Sequence, residues 1–426
     1  MPTRRPRFPR LSGLVAAVAA AVPCLLLPWI LPPPPAVQAA VMMVLAGQGY
    51  AATALVRAAC GRLHRQPGIS PTEAAGLRHW SPSRRLTVTA VFGLLLAGYV
   101  PAPVRSPQLS LAGVTRGGTA PPSALRSENP GSLIAWDSLG AEGQKFMAGP
   151  GRERIVPRAE RPAFEPVRAY VGLRSARTAE QRARLAVTEL ERNGGFARST
   201  ILVVVPTGSG WVNPAAVAAL EYVSSGDLAT VAMQYAELPS WAEYLLGSGR
   251  AAGSATALVV ALRHRLAEIP PGHRPRLLIY GESLGAIAAR CATTWTDQAL
   301  LVGAPGAAGR HRDQGRSMMM LHADDPVGWW SPRLLFQRPE GWPGGWLPVV
   351  SFWQVTGSLL TAVDAPAGHG HHYGNELIDA WQSTLRQGRG LRPWRAQVRR
   401  WGWPRGWGPL RLPAGSEWHR RPIAVR

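Results

Sequence analysis

Two kinds of apolar pattern divide the chain. Near its start, Leu11–Leu31, Ala36–Val56 and Leu86–Val100 are long runs without a charged residue, which predict membrane-crossing helices, the third on the short side. Beyond residue 131 the apolar residues fall into short runs alternating with amphipathic stretches. Val167–Leu173, Ile201–Val205, Thr230–Tyr235, Leu277–Tyr280, Leu300–Val302, Met318–Leu321 and, last, Val349–Val355 have the character of strands. Thr178–Arg192, Pro214–Val223, Ala252–Ala267 and Asn375–Leu385 have the period of helices between them. Strands that alternate with helices predict an α/β fold, a mostly parallel sheet covered on both faces.

Four regions follow: a membrane domain of about three helices over 1–100, a linker over 101–130, an α/β domain over 131–387 and a tail over 388–426. The linker is rich in proline, serine, glycine and threonine; the tail sets Trp394, Trp401, Trp403 and Trp407 among arginines. A cleaved signal peptide is the rival reading of the first segment. Arginines before it, and between the second and third, are predicted to be cytoplasmic; three spans then leave the α/β domain outside the cell membrane.

Charge narrows the partners. The 426 residues carry a formal +22, almost all of it arginine. The arginines are dispersed and no nucleic-acid-binding motif accompanies them, so an anionic membrane surface is the expected partner rather than nucleic acid. Three cysteines, Cys24, Cys60 and Cys291, have no metal-type spacing; Cys291 is expected to be a small buried hydrophobe.

The chemistry starts at Gly281-Glu282-Ser283-Leu284-Gly285, between a predicted strand and an alanine-rich helix. In that context G-x-S-x-G predicts a nucleophile elbow: Ser283 on a tight turn, with the Leu284 N–H facing a developing oxyanion. A serine nucleophile needs a base, and the base a carboxylate, which in the α/β-hydrolase order come later in the chain. The turn His322-Ala323-Asp324-Asp325-Pro326 supplies the carboxylate; Asp325, fixed by the proline behind it, is preferred to Asp324. The base lies in Gly368-His369-Gly370-His371-His372-Tyr373. His369, between two glycines just after the predicted last strand, is preferred, His371 is next, and His372 stays open. The run Pro206-Thr207-Gly208-Ser209-Gly210-Trp211 follows a predicted strand and offers Thr207 and Gly208 as further oxyanion donors. No G-K-[ST] follows these glycines, so they do not form a phosphate loop. The chemistry calls for neither metal nor organic cofactor.

Ala135–Gly149, Val167–Ala176, Arg182–Arg198, Val203–Pro214, Leu220–Trp241, the GESLG run, Asp325–Pro332 and Gly368–Gly374 together resemble a family of bacterial, mainly actinobacterial, membrane-anchored α/β-hydrolases. The resemblance implies a hydrolase domain behind an N-terminal membrane domain, with Ser283, Asp325 and a histidine of the GHGH run as triad. It implies no particular substrate.

These readings lead to a membrane-anchored serine esterase or lipase acting on lipid or acyl-ester substrates. An acyltransferase on envelope lipids and a non-catalytic scaffold are the rivals, and no pattern sets an oligomeric state. The tryptophan-rich stretch Gly328–Trp346 is expected to rim the substrate site, to dip into the membrane interface or to cover the core.

Overall fold

The computed structural model describes residues 10–63, 131–149, 164–238, 243–244, 249–307 and 316–387. The predicted third apolar segment, the 101–130 linker and the 388–426 tail lie outside them.

Six parallel strands form the sheet: β1 (Val167–Val171), β2 (Thr200–Val205), β3 (Leu228–Met233), β4 (Arg276–Glu282), β5 (Gln298–Val302) and β6 (Ser317–Met320). Their spatial order is β1-β3-β2-β4-β5-β6, which puts β4 inside the sheet and β6 at an edge. β1, β2, β3 and β5 are buried along their whole length, as strands sandwiched between helical layers must be. After the two helices of the N-terminal part, α1 (Arg10–Leu26) and α2 (Pro35–Leu63), the helices in chain order are α3 (Gly140–Ala148), α4 (Ala179–Arg192), α5 (Pro214–Val223), α6 (Gly249–Glu268), α7 (Leu284–Arg290), α8 (Pro326–Trp329), α9 (Val350–Leu359) and α10 (Glu376–Gln387). Local chemistry sets several of their starts. Thr178 and Gln181 close a capping box on α4, and Asn213 accepts from the Ala215 N–H at α5, with Pro214 at the first helical position. Arg168 of β1 forms a buried bidentate pair with Glu221 of α5, at 2.7 and 2.9 Å.

Three expectations change. Val349–Val355 is no strand: Val350–Leu359 is helical. Val350, Trp353, Gln354, Gly357 and Ser358 recur at helical spacing, and all are buried. That spacing outweighs the β-branched character of the valines. Cys291 is exposed, because the short helix α7 ends at Arg290 and leaves Cys291 as its C-cap. Of the three expected spans, the described residues contain one helix long and apolar enough to cross a membrane, Pro35–Val56, near the N-terminus. The first segment stops being helical after Leu26, where Leu27 precedes Pro28 and is steered away from helical geometry.

The helices α1 and α2 pack against α9. Cys24, Val41 and Leu45 bury with Val350 and Trp353. Gln354 donates to the Cys24 and Leu27 carbonyls at 3.3 and 3.2 Å, and Ser358 to the Leu31 carbonyl at 2.7 Å. The Cys24 carbonyl is one that the end of α1 leaves without a helical partner, and the other two bonds tie the chain after α1 to α9. A further cluster joins Trp329, Leu334, Trp342 and Val355, with Ile30 packed on it. The tryptophans of the 328–346 stretch thus cover a core, while Phe336 among them is 79% exposed.

Candidate active site

The nucleophile candidate sits where β4 turns into α7. Ser283 has φ 56° and ψ −125°, a left-handed conformation that a non-glycine residue adopts at a cost of about 1–3 kcal/mol. Glycines on either side make that turn sterically possible. A Cβ on Gly281 would strike the Gly285 backbone, and one on Gly285 the Val205 carbonyl at the end of β2. The Ser283 N–H donates to the Val302 carbonyl at 3.0 Å, tying the elbow to the end of β5. The serine is 8% exposed, and Leu284 behind it is fully buried. As the first residue of α7, Leu284 has an N–H without an intrahelical acceptor.

The next residue after β5 brings in a histidine. Gly303 has φ 55°, and a Cβ there would lie 2.5 Å from Cε1 of His371. His371 therefore rests against the strand end to which Ser283 is tied. Its Nδ1 is 2.8 Å from Asp325 Oδ2, and both side chains are buried. Asp325 also caps α8, its Oδ1 accepting from the Val327 N–H at 2.9 Å, with Pro326 at the first helical position. Cap and proline together fix the carboxylate at the end of the β6 turn.

Burial presses the His371 imidazolium down, but the charge and hydrogen bond of Asp325, then the charge of Glu282, outweigh it and lift the pKa above the ordinary histidine value. Its Nε2 is buried and has no hydrogen-bond partner among the described residues. With Nδ1 held by the carboxylate, the other nitrogen is left to take a proton.

His369 has a different setting. Its Nδ1 meets Asp324 Oδ2 at 2.9 Å, but the side chain is 62% exposed. Asp324 also accepts from the Gly370 N–H at 3.0 Å, so this outer pair shapes the loop. His372 bonds to the Ala365 carbonyl at 2.8 Å. The loop itself follows α9 and a short turn rather than a strand. Of the sequence candidates, then, the fold gathers Ser283, Leu284, Asp325 and His371 at one end of the sheet, and keeps His369 and Asp324 at the surface.

The Thr207–Gly210 turn is pinned from two sides. Tyr170 of β1 donates to the Gly210 carbonyl at 2.8 Å, and Gln234 donates to the Ser209 carbonyl at 3.0 Å. The Thr207 N–H is already bonded to the Trp211 carbonyl at 2.9 Å, within the loop. The Thr207 hydroxyl, by contrast, is buried without a partner among the described residues.

Sequence reasoning missed two side chains here, Glu282 and Tyr373. Glu282, next to Ser283, is buried and accepts from Asn213 at 2.7 Å and Tyr280 at 2.6 Å. Burial raises its pKa; the His371 charge and those two hydrogen bonds work in the opposite direction. Tyr373 donates to Asp325 Oδ2 at 2.6 Å. Beside the acid turn a cleft is lined by Gly306, Gly328, Trp329, Ser331, Arg333 and Arg338. Among the described residues no group of three His, Cys, Asp or Glu side chains is arranged to hold a metal ion.

A model described as "Alpha/beta-hydrolase family" matches residues 167–314 and 301–396, and one described as the N-terminus of that family matches residues 69–150. No curated protein matches the chain. Among solved structures, the chain is similar to a Trichoderma reesei cutinase in complex with a C11Y4 phosphonate inhibitor, at 13% identity and a TM-score of 0.24. That alignment covers 43% of this chain and 86% of the cutinase, and at so low a score it carries no weight for the site.

Proposed function

Because the chain belongs to the alpha/beta-hydrolase family, we propose that it is a serine hydrolase that cleaves ester bonds through an acyl-enzyme on Ser283. The observation that carries this reading is the strained Ser283 turn beside a buried Asp325–His371 pair whose second ring nitrogen has no partner among the described residues.

In this reading Ser283 Oγ attacks the ester carbonyl carbon, and its proton passes to Nε2 of His371. Asp325 holds the tautomer and stabilises the imidazolium that forms. The tetrahedral oxyanion takes the Leu284 N–H and a donor from the Thr207–Gly208 turn. The buried Thr207 hydroxyl is the better placed group of its residue, since the Thr207 N–H is already bonded. His371 then returns the proton to the leaving alkoxide, which departs as the alcohol. Water, deprotonated by the same nitrogen, splits the acyl-enzyme and restores Ser283.

The membrane belongs to the proposal as well. Leu14, Val15, Val18, Val22, Leu25 and Leu26 on α1, and Met43, Leu55 and Val56 on α2, are exposed, which suits a lipid surface and supports a lipid or acyl-ester substrate. α9 covers the first part of α2 as far as Gln48, which accepts from Trp353 at 3.2 Å, so the α/β domain sits against the anchor itself.

The test is hydrolysis of chromogenic acyl esters of graded chain length by the full chain in detergent, with and without an added alcohol. Alcohol release that disappears in Ser283→Ala supports the reading. Transfer of the acyl group to the added alcohol in preference to water reassigns the protein as an acyltransferase, and no turnover of any ester contradicts the proposal.

A further inference from the structure

Tyr373 lies two residues beyond His371 and turns its side chain back onto the same carboxylate. Its hydroxyl donates to Asp325 Oδ2 at 2.6 Å, the oxygen that also faces His371 Nδ1 at 2.8 Å. The ring is 2% exposed and held on several sides. His322 stacks on it with centroids 4.2 Å apart, and His371 meets it nearly edge-on at 5.6 Å. Burial, then the Asp325 charge, push the phenol far above its ordinary pKa, so it remains a neutral donor.

The backbone of the same residue reaches the elbow. The Tyr373 carbonyl accepts from Asn213 Nδ2 at 3.2 Å, and that nitrogen also donates to Glu282 Oε2 at 2.7 Å. Glu282 is followed directly by Ser283. One residue therefore touches the acid through its hydroxyl and, through its carbonyl, the Asn213 amide that holds Glu282, the residue before Ser283.

We propose that Tyr373 is a positioning residue: by sharing Asp325 Oδ2 with His371 it fixes the carboxylate and sets how tightly the base holds its proton, while Asn213 and Glu282 lock it to the elbow. The inference rests on His371 being the base of the proposed reaction. A donor on a carboxylate stabilises the negative charge and weakens the hold of that charge on a neighbouring imidazolium. Other charges around His371 set the background: Asp325 from the β6 turn and Glu282 from β4. His322, behind Tyr373, is bonded to the Gly370 carbonyl at 2.9 Å and Glu376 at 3.2 Å, and the Asp324–His369 pair faces solvent.

The experiment is the pH dependence of the fluorophosphonate labelling rate, on the full chain in detergent. It compares wild type, Tyr373→Phe and a chain carrying 3,5-difluorotyrosine at position 373, with folding checked by near-ultraviolet circular dichroism. Loss of the hydroxyl leaves Asp325 to favour the imidazolium, so the acidic limb for Tyr373→Phe moves up by about half to one pH unit. The fluorinated phenol, a stronger donor, moves it down. A purely packing role changes how much protein is labelled but leaves the limb in place. If Tyr373→Phe fails to fold, the fluorotyrosine chain decides by itself. Limbs that coincide with wild type in every folded variant overturn the inference alone; a folded wild type that does not label overturns it together with the hydrolase reading.

Discussion

The Ser283 N–H and the Val302 carbonyl are joined at 3.0 Å, which places the elbow one residue from Gly303, the glycine against which His371 rests. Two crossings of the sheet converge there, since Ser283 leaves β4 and Gly303 leaves β5. The absence of a side chain at Gly303 is what admits the imidazole. Gly303→Ala introduces a Cβ 2.5 Å from His371 Cε1 at a residue with φ 55°. We expect ester turnover to fall at least about tenfold from displacement of the ring. The fraction of folded protein, measured by circular dichroism, separates this from unfolding.

The histidines divide by burial. His371→Ala is expected to lower kcat by about a thousandfold or more, the scale of a lost general base. His369→Ala removes an exposed pair with Asp324, worth at most about 1 kcal/mol, and is expected to leave kcat within about threefold of wild type. Initial rates on a single chromogenic ester measure both.

How much of this was legible in the sequence depends on how local each determinant is. The elbow could be read because Gly281 and Gly285 serve a turn five residues long, and Pro214–Val223 because its helical period is complete within 10 residues. The misread strand at Val349–Val355 shows the limit: its valines suit a strand, but the face formed by Val350, Trp353 and Gly357 meets residues more than three hundred positions earlier. The preference for His369 leaned on that absent strand. Which histidine turns inward is decided by Asp325 and Gly303, contacts that no local pattern encodes. Glu282 and Tyr373 were invisible for the same reason, each being tied to a partner on another element.

The proposed reaction needs a neutral His371 to accept the serine proton, and the folded protein raises its pKa. The rate is therefore expected to fall as pH decreases, along a limb centred above the ordinary histidine value of about 6.5. For stability the sign is the reverse. A raised folded pKa means that the charged pair stabilises the protein below the unfolded histidine pKa, and this contribution is lost as pH rises through the folded value. Asp325→Asn removes the main raising influence, so any residual limb shifts downward; kcat/KM against pH measures it.

Thr207 offers a separate check on the oxyanion donors. Thr207→Val keeps the shape and deletes the buried hydroxyl, and we expect kcat to drop by about a hundredfold. Thr207→Ser is expected to retain activity within about fivefold, because the hydroxyl remains. Equal rates for all three chains would remove the hydroxyl from the oxyanion site.

The central claim is that Ser283 is an activated nucleophile. Fluorophosphonate labelling of the detergent-solubilised full chain, read by intact mass, tests it most directly, with Ser283→Ala and His371→Ala alongside. The account predicts a single adduct on wild type, none on Ser283→Ala and a strongly slowed reaction on His371→Ala. A well-folded wild type that acquires no adduct would contradict it and leave a non-catalytic scaffold on a hydrolase fold.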